Sequence, residues 1–122
     1  MNASSTTPRL LDYLRLFRIP NVFTAIADIA MGFLLVRGSP DPGIAFFLLA
    51  GASALIYTAG MVLNDVFDID IDRRERPERP LPAGRISLPS ARFIGIGMLA
   101  GGVLLAGLAG VFCPVEEVLA WR

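Results

Sequence analysis

Histidine and lysine are both absent from the chain, and cysteine occurs once. Without imidazole there is no histidine to act as a base or to ligate a metal. The lone Cys113 cannot close an internal disulfide or assemble a zinc site, so it reads as a small apolar residue at a helix end. The lack of lysine reads as codon usage and leaves arginine as the basic side chain. Charge is also missing from long stretches: no acidic or basic residue occurs from Ile44 to Leu63 or from Phe93 to Phe112. No low-complexity tract or internal repeat is present. Nor is a cleavable leader expected, because the first apolar run is too long, carries Asp28 and has no small-residue cleavage site after it.

What the chain has instead is apolar surface: 54% of its residues are hydrophobic. They fall into three runs, Ile19–Val36, Ile44–Leu63 and Phe93–Phe112, each near the roughly 20 helical residues that cross about 30 Å of hydrocarbon. A buried helix of a soluble protein would show a polar stripe, and the second and third runs have no charged face. The expected fold is therefore all-α, a multi-pass transmembrane helical bundle with three spans in this chain. The acidic and basic totals cancel at 11 each, so net charge says nothing about partners, and no nucleic acid is expected. Arginine distribution is informative. Arg9, Arg15 and Arg18 precede the first span, Arg37 alone lies between the first two, and Arg73, Arg74, Arg76, Arg79, Arg85 and Arg92 lie between the last two. The positive-inside rule then puts the N-terminus and the loop of about residues 65–92 on the cytoplasmic side of the cytoplasmic membrane.

The opening "MNASSTTP" is polar and expected to fray. "RLLDYLRLFRIPN" alternates arginine with apolar residues, which suits a short interfacial helix ending in a break near Pro20. Within the first span Asn21, Thr24 and Asp28 recur at helical spacing and form one polar seam. Asp28 falls near mid-membrane, where ionisation costs at least about 2.5 kcal/mol. It reads either as hydrogen-bonded packing between helices or as the lining of a polar chamber. Ser87 suits an N-cap for the third span. That span is rich in glycine, including the Gly97/Gly101 GxxxG pair, and is built for close approach to other helices.

The informative stretch is "NDVFDIDIDRRERPERPLP". At about 100° per residue, Asn64, Asp68, Asp72 and Asp65 fall at about 0°, 40°, 80° and 100° if the second span continues into it, while Asp70 falls at about 240°. Carboxylates spaced this way at a helix C-terminus repel one another and oppose the macrodipole, so the pattern calls for a cation. Three carboxylates and an amide suit Mg²⁺, whose shell is commonly completed by phosphate oxygens. Arg73, Arg74, Arg76 and Arg79 follow at once, and guanidinium pairs bidentately with phosphate. The combination reads as a metal-diphosphate site, although any single arginine also suits a positive-inside anchor. An EF-hand is excluded because its required glycine and glutamate positions hold Arg73 and Arg79.

These residues resemble the first aspartate motif, N-D-x-x-D-x-x-x-D, of the UbiA-type intramembrane prenyltransferases, here Asn64, Asp65, Asp68 and Asp72. "RPERPLPAGRIS" is similar to the arginine-proline and glycine-arginine segment after that motif, and "LRLFRIPN" to the entry of the first helix. The resemblance covers about residues 10 to 105. It implies a larger helical bundle of which residues 1–122 form the N-terminal part, and Mg²⁺-dependent transfer of a prenyl group from a prenyl diphosphate to an acceptor within the membrane. Asp65, Asp68 and Asp72 would be the catalytic acids and, with Asn64, the metal ligands. Asn64, Arg73, Arg76 and Arg79 would bind the diphosphate. Asn21, Asp28 and Tyr57 would line the chamber, Tyr57 sharing the face of Asn64, although packing accounts for it equally. The spacing of Arg76 and Arg79 around Pro77 looks more like the branch that alkylates archaeal ether lipids, or related uncharacterised members of the family, than the one that alkylates 4-hydroxybenzoate.

The sequence departs from the family's pattern in having no second aspartate motif. Glu116 and Glu117, beyond the third span, are expected on the opposite side of the membrane and cannot replace it. The chain is thus expected to be a fragment, inactive alone. Two other readings compete. A soluble isoprenyl diphosphate synthase has no need of three charge-poor spans. A small non-catalytic membrane protein would bind metal or anionic lipid headgroups through its arginine-rich loop.

Overall fold

The computed structural model describes residues 7–41, 43–113, 116 and 120. Met1–Thr6, within the stretch expected to fray, and Glu117 lie outside the described residues. Five helices follow in chain order: α1 Leu10–Phe17, α2 Ile19–Arg37, α3 Gly43–Phe67, α4 Ile69–Glu75 and α5 Leu88–Phe112. There is no β-strand among the described residues. Helices α2, α3 and α5 are long and apolar enough to cross a membrane, as expected of an integral membrane protein. Most of their surface faces outward, and large apolar side chains such as Phe23, Leu35, Phe47, Phe93 and Leu104 are exposed, an arrangement suited to hydrocarbon or neighbouring helices rather than water.

Local chemistry explains the boundaries. At the start of α1 the Arg9 backbone N–H donates to Asp12 Oδ2 at 2.9 Å, which satisfies one of the amides a helix start leaves unpaired. The chain breaks at Arg18, in the left-handed region at φ 49°, and Pro20 sits in the first turn of α2. The break thus precedes the proline, because a first-turn proline sacrifices no helical hydrogen bond. Ser87 caps α5 as expected, its hydroxyl accepting from the Ser90 N–H at 3.3 Å. Consequently α5 begins at Leu88, five residues ahead of the apolar run.

Helix α3 is the central rod, packed along its length against α5 and more lightly against α2. The Ser53 hydroxyl donates to the Ala25 carbonyl at 3.1 Å, tying α3 to α2. Between α3 and α5 the backbones approach closely at Gly95 and Gly102. A Cβ on Gly102 would stand 2.5 Å from Ile56 Cγ1 and 3.1 Å from the Ala52 carbonyl oxygen, and one on Gly95 would stand 2.8 Å from Leu63 Cδ2. The Gly97/Gly101 pair is therefore not the close contact: Gly97 has nothing within 4 Å, and Gly101 has only ordinary contact with Leu55 at 3.6 Å. The seam follows i, i+7, as nearly antiparallel helices dictate, and not the steeper GxxxG crossing.

Candidate metal and diphosphate site

One apolar cluster of buried side chains supports one end of α3: Leu16 from α1, Val62 and Val66 from α3, Ile69 from α4, Leu81 and Ile86 from the following loop, and Ala91 from α5. The loop is held by turns. The Pro80 carbonyl accepts from both the Arg85 and Ile86 N–H groups at 3.0 and 3.3 Å, and the Arg79 carbonyl accepts from Ala83 N–H at 2.9 Å. Gly84 takes a positive φ of 74°, which glycine adopts without a Cβ clash. Arginines on α1 and on the loop are thereby brought to the acidic end of α3.

The acidic segment is almost one continuous helix. Asp68 interrupts it with φ −89° and ψ 12°, yet its N–H still donates to Asn64 O and its carbonyl accepts from Asp72 N–H, both at 2.9 Å. The arc expected of the four residues is thus largely kept. Asp65 and Asp72 are buried, Asp68 is partly buried and Asn64 is exposed. The Asp70 side chain points outward at 84% exposure, as its place on the wheel requires.

Arginines occupy the acid pair. Arg79 Nη1 lies 3.1 Å from Asp72 Oδ2 and 3.4 Å from Asp65 Oδ1. Arg18 Nη2 approaches that same Asp65 oxygen at 2.8 Å. The carboxylate side chains are only 9% and 7% exposed, against 29% for Arg18 and 25% for Arg79. A cavity of about 250 Å³ opens beside them, lined by Arg15, Arg18, Asp65, Glu78, Arg79 and Pro80. Asn64 Nδ2 donates to Asp68 Oδ2 at 3.2 Å. Among the described residues no three carboxylates stand close enough together to enclose a metal ion. In kind, the donors fit a hard divalent cation: all three carboxylates and the Asn64 amide supply oxygen.

Several expected participants are elsewhere. Arg73 pairs with outward-facing Asp70 at 3.4 Å, and Arg76 is exposed and outside the ion-pair network. Asn21, Asp28 and Tyr57 do not meet in one chamber. Asn21, Asp28 and Tyr57 are all exposed, and Asp28 also lines a separate cavity of about 400 Å³ with Gly32, Phe33, Arg37, Leu49, Ala106 and Cys113. The sequence alone assigns no site role to Arg15, Arg18 or Arg85. Arg18 reaches Asp65 across 47 residues, and Arg85 reaches Asp12 across 73, with Nη1 to Oδ1 at 3.1 Å. Asp12 is held below the usual carboxylate range by the Arg9 backbone N–H first, and then by Arg85.

Comparison with known proteins points the same way. The family model for the UbiA prenyltransferase family matches residues 23–116. Digeranylgeranylglyceryl phosphate synthase of Methanoculleus marisnigri is 40% identical over 107 residues, covering 88% of this chain and 38% of that protein. The protein of the same name from Sulfurisphaera tokodaii is 34% identical, with the same coverage. That from Ignicoccus hospitalis is 30% identical over 93% of this chain and 38% of its own length. The chain thus spans less than two-fifths of the length of these relatives. No solved structure gives a significant match.

Proposed function

The chain belongs to the UbiA prenyltransferase family, and on that footing we propose that it carries the first metal-diphosphate half-site of a membrane-embedded prenyltransferase. One observation carries the reading: two buried carboxylates and the guanidiniums of Arg18 and Arg79 are gathered beside a small cavity at one end of an apolar helix. That arrangement sets charge that suits a diphosphate head at the end of helices apolar enough to lie in a membrane. By the arginine distribution, this end lies on the cytoplasmic side.

The proposed donor is a prenyl diphosphate. The relatives' shared name specifies a product with two geranylgeranyl groups on a glyceryl phosphate, so the proposed acceptor is a glyceryl phosphate that already carries one. An acceptor hydroxyl oxygen forms a bond to the first prenyl carbon and releases its proton. The bond from that carbon to the diphosphate oxygen breaks, and its electron pair leaves with the diphosphate. Asn64, Asp65, Asp68 and Asp72 would hold magnesium, which when bound neutralises charge on the departing diphosphate. Arg18 and Arg79 contribute fixed positive charge beside that group, and Arg15 adds a third guanidinium on the cavity wall.

The test is a chimera in which this chain replaces the matching segment of the Methanoculleus marisnigri synthase. Transfer of labelled geranylgeranyl groups to a glyceryl phosphate acceptor is expected, and Asp68→Asn is expected to reduce it more than 100-fold. Unchanged turnover in that variant would exclude the role given to the acids.

A further inference from the structure

We propose that Arg18 and Arg79 are resident counter-cations of the acid pair, which a divalent ion displaces and which then turn to the diphosphate. The inference rests on the metal-diphosphate reading above and adds the order in which charges change partners. It explains why the donors suit a metal in kind while two of them are already engaged by guanidinium groups.

The charge count is closed. Asp65 and Asp72 contribute two negative charges, and Arg18 and Arg79 contribute two positive ones at 2.8 to 3.4 Å. Without those arginines two nearly enclosed carboxylates would stand uncompensated, which a folded protein tolerates poorly. A divalent ion on these two carboxylates would add positive charge beside guanidiniums that already balance them, and would compete with Arg18 and Arg79 for the same oxygens. Departure of a guanidinium therefore favours metal entry.

Exposure decides which groups move. The carboxylate side chains are 7 to 9% exposed and the arginine side chains 25 to 29%. The acids are fixed on helices, while each guanidinium ends a long chain with one side open. Both arginines line the 250 Å³ cavity with Arg15, so either can leave its carboxylate and remain beside the site. Arginine suits the second partner as well, since its planar fork matches diphosphate oxygens. At Arg18 the backbone is held at φ 49°, ψ 53°, a conformation costly for a residue with a Cβ and typical of functional positions.

The experiment is calorimetric titration of Mg²⁺ into the full 122-residue chain in detergent micelles, for the native protein and for Arg79→Gln, Arg79→Lys and Asp72→Asn. Removing the competing cation is expected to tighten Mg²⁺ binding about tenfold in Arg79→Gln. Arg79→Lys, which keeps the charge, should stay near the native value, and Asp72→Asn should bind at least tenfold more weakly. Equal or weaker binding by Arg79→Gln, where native binding depends on Asp72, overturns the displacement and leaves the metal site standing. Mg²⁺ binding that is absent, or indifferent to Asp72, overturns both. A second measurement avoids any effect of mutation on folding. In the native chain the Arg79 side-chain N–H resonance should shift on adding Mg²⁺ and again on adding inorganic pyrophosphate. A resonance that moves with neither overturns the inference.

Discussion

The guanidinium of Arg85 lies 3.1 Å from Asp12, fastening the loop after the acidic segment to the short helix that opens the described chain. Arg18 directly follows helix α1 and Arg79 lies in the loop, so this contact ties together the two segments that bring the cations to Asp65. Arg85→Gln is expected to leave the helix content of the chain unchanged. It should weaken Asp72-dependent Mg²⁺ binding several-fold by loosening the whole site. Unchanged binding would show that the apolar cluster alone sets the geometry.

The same contact has a pH signature. Asp12 is held below its ordinary value of 3.8, chiefly by the Arg9 N–H and then by Arg85. A carboxyl with a depressed folded-state pKa contributes stability that is full above the unfolded value and is lost as pH falls through the folded value. Thermal stability in micelles should therefore hold down to about pH 4 and decline below it. In Asp12→Asn the acid decline should be shallower, and a superimposable profile would argue against the assignment.

Close approach of α3 and α5 at Gly102 can be tested by adding bulk. Gly102→Val would drive a side chain against Ile56 and the Ala52 carbonyl and should destabilise the chain by about 1 to 3 kcal/mol. Gly97→Val, at a glycine with no neighbour within 4 Å, should be close to neutral, within about 0.5 kcal/mol, because valine is no worse a helix former than glycine. Equal losses at the two positions would contradict the seam described here.

The N-cap of α5 offers a smaller effect. Ser87→Ala removes the acceptor for the Ser90 N–H and should cost about 1 kcal/mol, whereas Ser87→Asp should restore most of it. Denaturation in mixed micelles would read both.

The three long helices were legible in the sequence because each is built on a long apolar run, and the turn of the wheel correctly set Asp70 apart from Asp65 and Asp72. The ion pairs were not. Arg18 and Asp65 stand 47 positions apart in the chain, and no local periodicity reports a tertiary partner. Proximity in sequence had favoured Arg73 and Arg76 for the diphosphate, but Arg73 turns to its helical neighbour Asp70 and Arg76 remains exposed. Arg79 was found because it follows the acids closely and also lies in the loop that folds back on them. The glycine seam was misjudged for a related reason. A motif fixes spacing along one helix, whereas the crossing angle with the partner decides which glycines meet it.

The double acceptance at the Pro80 carbonyl works as a buckle. Between it and Ile86 the strap has no slack: an extra residue would lift Leu81 or Ile86 from its seat and drag Arg85 off Asp12.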